Sequence, residues 1–379
     1  WGMVLLVVTI IVSMTGWVQY RYRQTRALTL AQFLEQRYSR NFRVFAGLLI
    51  FISGTINFGI FPAVGARFFM KFCGFESHLV SLGLLEVDLV FAGIMILLLG
   101  VALMFTFLGG QIAVIVTDFI QGTFFNLLLC VTVAVLMLQF PWDTIIEALQ
   151  TRPPGESMIH PFHSGKTADF NIWFYLIQAF GIFYCFMAWQ GNQGNNASAR
   201  NAHEARMGRV LGSWRDMTQR LLILVIPVCA FAVMHHAQYA ETAAGVQAIL
   251  DGIGNETLQK QLTTTVVLSK ILPIGVLGAF TAVMLAAFIS THDTYLHSWG
   301  SIFVQDVILP FRKTRLSKDQ HMRLLRRSIF GVAIFIFFFS LLFQQSQYIF
   351  LFFAITGAIF AGGSGAVIIG GLYWKRGTT

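Results

Sequence analysis

Long apolar runs alternate with short polar stretches along the whole chain, and each run is close to the length of a bilayer crossing. The windows fall at roughly 2–20, 44–70, 81–106, 112–140, 171–191, 218–234, 274–300, 328–346 and 348–373, which predicts nine membrane-spanning helices. Between the first two, Ala27 to Ser39 alternates apolar and polar residues at helical period, predicting an amphipathic helix along the cytoplasmic interface. Residues 141–170, with Pro153, Pro154, Gly155 and Pro161, predict an irregular outer segment. A second outer segment, 237–271, holds an amphipathic stretch around Ala240 to Leu250.

Composition agrees with this pattern. Hydrophobic residues make up 56% of the chain, charged residues 11%, and the mean hydropathy is +0.68, values that exclude a soluble domain of this length. No low-complexity tract or Pro-rich linker divides the sequence, so residues 1–379 read as a single all-α transmembrane domain. Cys73, Cys130, Cys185 and Cys229 are scattered without metal-ligand or CxxC spacing and read as packing thiols.

The net charge of +9 has a topological meaning. Stretches 21–43, 192–220 and 310–327 carry 6, 5 and 7 Lys/Arg, and Lys375 and Arg376 close the chain. If the spans alternate, these basic residues all lie on one side, which places residue 1 outside and residue 379 in the cytoplasm. The charge is then explained by topology and contact with membrane lipids, and a nucleic-acid partner is excluded. Residue 1 falls inside an apolar run that lacks the features of a signal peptide, and nine spans beginning outside imply at least one helix upstream.

Candidate chemistry concentrates in residues 287–298, Ala-Phe-Ile-Ser-Thr-His-Asp-Thr-Tyr-Leu-His-Ser. At helical spacing Ala287, Ser290, Thr291 and Thr294 share a face with Asp293 beside them, so oxygen atoms converge at membrane depth as a seat for a small hard cation. The alternative is that each hydroxyl bonds back to its own helix. Asp118, six residues into its span, reads either as part of an ion path or as a carboxylate favoured by a helix N-terminus and paired with a cytoplasmic Arg. Glu86 and Asp88 read as snorkelling to the outer interface. His160, His163, His235 and His236 lack partners at metal-ligand spacing, and no GxSxG, P-loop or HExxH motif occurs, so nothing points to an enzyme.

Four segments carry a resemblance. Leu28-Thr-Leu-Ala-Gln-Phe-Leu-Glu-Gln-Arg-Tyr38, Gly109-Gly-Gln-Ile-Ala-Val-Ile-Val-Thr-Asp-Phe-Ile-Gln121, Leu272-Pro-Ile-Gly-Val-Leu-Gly278 leading into Ala286 to Ser298, and Gly371-Leu-Tyr-Trp-Lys-Arg376 resemble, in this order, motifs of the sodium/solute symporter family. The resemblance implies a leucine-transporter-type core of five plus five inverted-repeat helices, with binding sites near the bilayer midplane at broken helices. The nine spans would be helices two to ten of that core, without the discontinuous first one.

By the same resemblance, Ala287 through its carbonyl and Ser290 and Thr291 through their hydroxyls belong to a sodium site whose other ligands precede residue 1. Ser290 and Thr291 are then expected to face a slot between spans 44–70, 171–191 and 274–300. Asp118, Ser290, Asp293 and Thr294 stand where some members hold a second sodium ion. Two neighbouring carboxylates can instead share a proton, so sodium and proton coupling both stay open.

The resemblance also implies a solute pocket along Tyr184 to Gln193, with Tyr184, Cys185, Ala188, Trp189, Asn192 and Gln193 as its candidates. Cys185 and Ala188 stand where sodium/galactose members have an Asn and a Tyr, and Phe350 to Ala354 offers no Gln where sugar carriers place one. A hexose needs many directed hydrogen bonds, so the lining argues against one. The implied activity is symport of a small organic solute with Na⁺ as coupling ion, with no organic cofactor, in a bacterial inner membrane. A transporter-like sensor joined to a signalling module is the competing reading.

Overall fold

The computed structural model describes residues 2–82, 85–167, 169–191, 193–314, 316–343 and 347–377. The chain opens with α1 (Gly2–Thr15) and α2 (Trp17–Gln24), then α3 (Leu30–Arg37), α4 (Arg40–Phe58) and α5 (Phe61–Cys73). A small antiparallel hairpin, β1 (Leu79–Leu82) and β2 (Leu85–Asp88), leads into α6 (Leu89–Gln139) and α7 (Trp142–Gln150). Then come α8 (Ile172–Tyr184), α9 (Gln193–Ser198), α10 (Ala202–His235), α11 (Ala240–Asp251) and α12 (Glu256–Ile271). The last three helices are α13 (Ile274–Ile302), continued by a π-helical stretch Phe303–Ile308, α14 (Lys318–Leu342) and α15 (Ile349–Tyr373).

Among the described residues seven helical segments are long and apolar enough to cross a membrane: Arg40–Cys73, Leu89–Gly110, Val114–Gln139, Ala202–His235, Ile274–Phe311, Lys318–Leu342 and Ile349–Tyr373. The other two predicted spans are shorter as helices. Window 2–20 divides at Gly16, which is left-handed (φ 54°) and sits where a Cβ would come within 2.6 Å of Arg206 Cγ. Window 171–191 stays helical only through Tyr184, and the chain then turns, with Met187 at φ 69°. Apolar composition reports where a chain avoids water, and such backbone breaks leave it unchanged.

The 51 residues of α6 would run about 77 Å at 1.5 Å per residue, far more than the ~30 Å of a hydrocarbon core. They are divided at Gly110, whose φ 57° and ψ −167° are open essentially to glycine alone. Asp88, expected to snorkel, instead caps this helix: its Oδ1 accepts from the backbone N–H groups of Val90 and Phe91 at 3.0 and 3.2 Å. Glu86 lies in β2, outside any span.

The 44–70 window is also interrupted, between Phe58 and Phe61, with Pro62 in the first turn of α5. Here a hydroxyl from another helix enters the ladder. Ser340 Oγ of α14 donates to Gly59 O at 2.5 Å and accepts from Ala63 N at 3.2 Å, replacing the bond those two backbone groups would otherwise share. Ser340 is fully buried, so Ser340→Ala strands both groups away from water. Its expected cost is about 1–3 kcal/mol, read as a lower thermal midpoint in detergent. Ser340→Thr keeps the hydroxyl and is expected to recover most of the loss.

The segment predicted to lie along the interface is anchored to the protein instead. Thr29 caps α3 by accepting from Gln32 N at 3.1 Å, and Leu30, Ala31, Phe33 and Leu34 are buried in a core built with α4, α13, α14 and α15. A second core joins the end of α6 to α7, α10, α11 and α12. Below the first core lies a charged knot. Asp306 of the π-helical stretch is fully buried, and its Oδ1 accepts from Thr29 Oγ1 at 2.9 Å and from Arg43 Nη2 and Nε at 3.1 and 3.2 Å. Arg43 also donates to Glu35 at 2.5 Å and to Gln305 O at 2.8 Å.

Candidate functional site

The helical period of α13 sends its polar residues to two places. Ala287 and Thr291, one turn apart, face an open cavity of about 340 Å³ lined also by Phe61, Gly65, Phe69 and Phe353. This cavity lies between α5, α13 and the start of α15, whereas the expected slot bordered span 171–191; among the described residues Ile349 and Phe353 of α15 line it and no residue of that span does. Thr291 Oγ1 donates to Ala287 O at 2.9 Å, so its proton is used within its own helix while its lone pairs remain acceptors. His292 lines the same cavity, stacked on Phe288 with ring centroids 3.6 Å apart.

Ser290 and Thr294 turn the other way, toward α6. Ser290 Oγ donates to Asp118 Oδ1 at 2.5 Å, and Thr294 Oγ1 donates to Asp118 Oδ2 at 3.1 Å, so one carboxylate is held by two hydroxyls of the neighbouring helix. Thr294 Oγ1 also lies 3.4 Å from Asp293 Oδ1. Asp293 is fully buried, and its Oδ2 has no hydrogen-bond partner among the described residues. Oxygen atoms from two carboxylates and two hydroxyls thus meet across α6 and α13, and a buried acceptor of this kind calls for a cation or a proton. Arg215 of α10 stands one turn away, its Nη1 3.1 Å from where a Cβ on Gly122 would lie.

The turn after α8 forms a second, smaller pocket. Cys185, Ala188 and Trp189 line a cavity of about 100 Å³ together with Ser53 of α4 and Phe360 of α15. Cys185 Sγ donates to Ala361 O at 3.2 Å, and Trp189 Nε1 donates to Tyr295 Oη at 3.0 Å. Tyr184 does not join them: its ring stacks on Phe180 at 5.4 Å, and its backbone packs against Gly365. Gln193 opens α9, and Asn192 lies outside the described residues.

Two further residues, Gln190 and Trp299, line this pocket. Gln190 donates to Met187 O at 2.6 Å yet leaves Oε1 buried and, among the described residues, unpartnered, and Trp299 Nε1 is likewise buried without an acceptor among them. An acceptor and a donor therefore remain free on one pocket. Gln190 adjoins Trp189 in sequence, a polar side chain on a broken helix, which is a legible signal; Trp299 is 109 residues beyond Gln190 and reaches the pocket only through folding.

His160 and His163 stack on each other at 4.1 Å, and His236 lies 3.2 Å from Glu147. Among the described residues no group of three or more His, Cys, Asp or Glu side chains is placed to hold a metal.

The model of the sodium:solute symporter family matches residues 1–379, the full chain. The chain belongs to the sodium:solute symporter family. Family membership and seven apolar helices among the described residues make it an integral membrane protein. It is 24% identical over 356 residues, 93% of its length, to a sodium/pantothenate symporter of Haemophilus influenzae, of which it spans 66%, just under two thirds. It is also similar, at a TM-score of 0.71 and 17% identity over 99% of this chain and 73% of the other, to a solved structure. That structure is described as a substrate-bound, outward-open state of a Na⁺-coupled sialic acid symporter with a novel Na⁺-site. The likeness shows the fold, and it is the leucine-transporter-type architecture implied by the motifs.

Proposed function

We propose that this chain is the core of a sodium-coupled symporter that moves a small organic solute by alternating access. The observation that carries the reading is the oxygen cluster of Asp118, Ser290, Thr294 and Asp293, with its buried, unpartnered carboxylate oxygen. Sodium suits such a site because a few protein oxygens can replace its hydration shell. Ala287 and Thr291, facing the adjoining cavity, contribute to a first sodium site, and the Asp118 cluster forms a second ion site or the path away from it. Sodium bound there favours the solute-binding state, and by linkage the solute raises sodium affinity equally.

The solute pocket is the turn after α8, around Cys185, Ala188 and Trp189, extended here to Gln190 and Trp299. Its free acceptor and donor suit a solute with one or two polar groups, and the sparse polar lining disfavours a hexose. The relatives are described as symporters of pantothenate and of sialic acid; the class of small organic solute is what we carry over. Residues 1–379 act as one transmembrane unit in a bacterial inner membrane, with the basic stretches 21–43, 192–220 and 310–327 on the cytoplasmic side.

The test is uptake by the full-length protein in proteoliposomes at graded sodium. Thr291→Ala is expected to raise the sodium needed for half-maximal uptake about five- to tenfold, the effect of losing one neutral hydrogen-bonding oxygen. Unchanged sodium dependence would remove Thr291 from the site. Thr294, whose hydroxyl lies between two carboxylates, favours a second reading in which Asp118 and Asp293 share a proton. Uptake driven by a pH gradient without sodium would select that reading.

A further inference from the structure

A cleft of about 570 Å³ opens between α4 and α14. The two helices are close where the Phe339 ring lies over Gly59, 2.5 Å from where a Cβ there would stand. Toward their N-terminal ends they part, and Phe303, with its ring 4.8 Å from Phe51, closes the cleft on the inside. The walls are apolar and face outward, Ile52 and Phe335 being 40% and 42% exposed. Gly331 leaves the middle of the cleft empty, since a Cβ added there would meet nothing within 4 Å. Its volume lies in the ~300–1,000 Å³ range of small-molecule sites.

The sequence of α14 locates this cleft in the membrane. Residues 318–327 read Lys-Asp-Gln-His-Met-Arg-Leu-Leu-Arg-Arg and 328–342 are almost wholly apolar, so the helix enters the hydrocarbon at Arg327. Arg327 lines the cleft at that boundary. Arg323 and Arg326 stand beside it, and none of the three forms an ion pair among the described residues. An apolar groove that opens sideways to lipid and ends at unpaired guanidinium groups matches one molecule in both parts, an acyl chain with an anionic headgroup.

We propose that the α4–α14 cleft is a binding site for an anionic phospholipid, with an acyl chain over Gly331 and the headgroup phosphate held by Arg327. The site stands apart from the ion cluster and the solute pocket, and it follows from membrane insertion whichever solute is carried.

The experiment is native mass spectrometry of the full-length protein released from nanodiscs of phosphatidylglycerol or of phosphatidylcholine with the same acyl chains. Retention of one phosphatidylglycerol per chain is expected, several-fold above phosphatidylcholine. Arg327→Gln should lower phosphatidylglycerol retention roughly fivefold, to the phosphatidylcholine level. Gly331→Phe, filling the cleft, should lower retention of both lipids, while Lys375→Gln changes neither. Thermal midpoints of the variants report folding, and Arg327→Gln on the exposed helix end keeps the test valid if Gly331→Phe proves unstable. Equal retention of the two lipids by the native chain would overturn the proposal. So would a dimer that Gly331→Phe dissociates, because the cleft would then hold a second copy.

Discussion

Asp118→Asn is expected to raise the sodium concentration for half-maximal uptake by roughly thirtyfold, with protein yield and thermal midpoint close to those of the native chain. The magnitude corresponds to about 2 kcal/mol, the usual worth of a hydrogen-bonding interaction with a charged group. The amide keeps the size and one acceptor oxygen of the carboxylate, so Ser290 and Thr294 retain a partner and the contact between α6 and α13 survives. What the change removes is the negative charge facing the buried oxygens of Asp293 and Thr294. Uptake titrated with sodium in proteoliposomes checks it. If yield falls and sodium dependence does not move, Asp118 serves only to tie α6 to α13 and the cluster is no ion site.

The second large effect concerns the charged knot under the first core. Asp306→Ala is expected to destabilise the protein by about 3–5 kcal/mol, because it removes the buried one of the two carboxylates paired with the largely buried Arg43 guanidinium. Replacing both partners, as in Arg43→Met with Asp306→Leu, should restore much of that loss, since no buried charge is then stranded. Thermal unfolding in detergent, run as a double-mutant cycle, measures the coupling. A single Asp306→Ala variant that melts like the native chain would show that Glu35 and Gln305 O suffice to hold Arg43.

The knot also shows where sequence reading stops. Runs of apolar residues locate membrane crossings because burial in lipid acts on composition, and the long helices were legible for that reason. Asp306, Arg43 and Thr29 carry no local signal: Asp306 lies 263 residues from Arg43 and 277 from Thr29, and folding alone brings them together. The same holds for Ser340, a lone hydroxyl in an apolar helix whose role depends on a break in another helix. The pairing of Asp118 with Ser290 and Thr294 was read from the resemblance of two motifs, since spacing along one helix says nothing of its neighbour. Breaks at Gly16 and after Tyr184 were hidden because hydrophobicity is indifferent to backbone angles. The free atoms of Gln190 and Trp299 were invisible for a different reason: being unpartnered is a property of packing and has no residue code.

The glycine corner in α6 bears on how the protein is made. Between Asp88 and Asp118 the chain carries no charged residue, and at Gly110 the two apolar segments follow each other with no hydrophilic loop to separate them. Residues at the corner are strongly apolar and outward-facing, Leu108 and Ile112 being 81% and 80% exposed. A nascent segment ending at Leu108 would have no water-seeking connector to hold it at the surface while the next one emerged from the ribosome. Leu89–Gly110 and Val114–Gln139 are therefore expected to leave the insertion machinery as a hairpin, before the α13 hydroxyls that receive the carboxylate of Asp118 have been made.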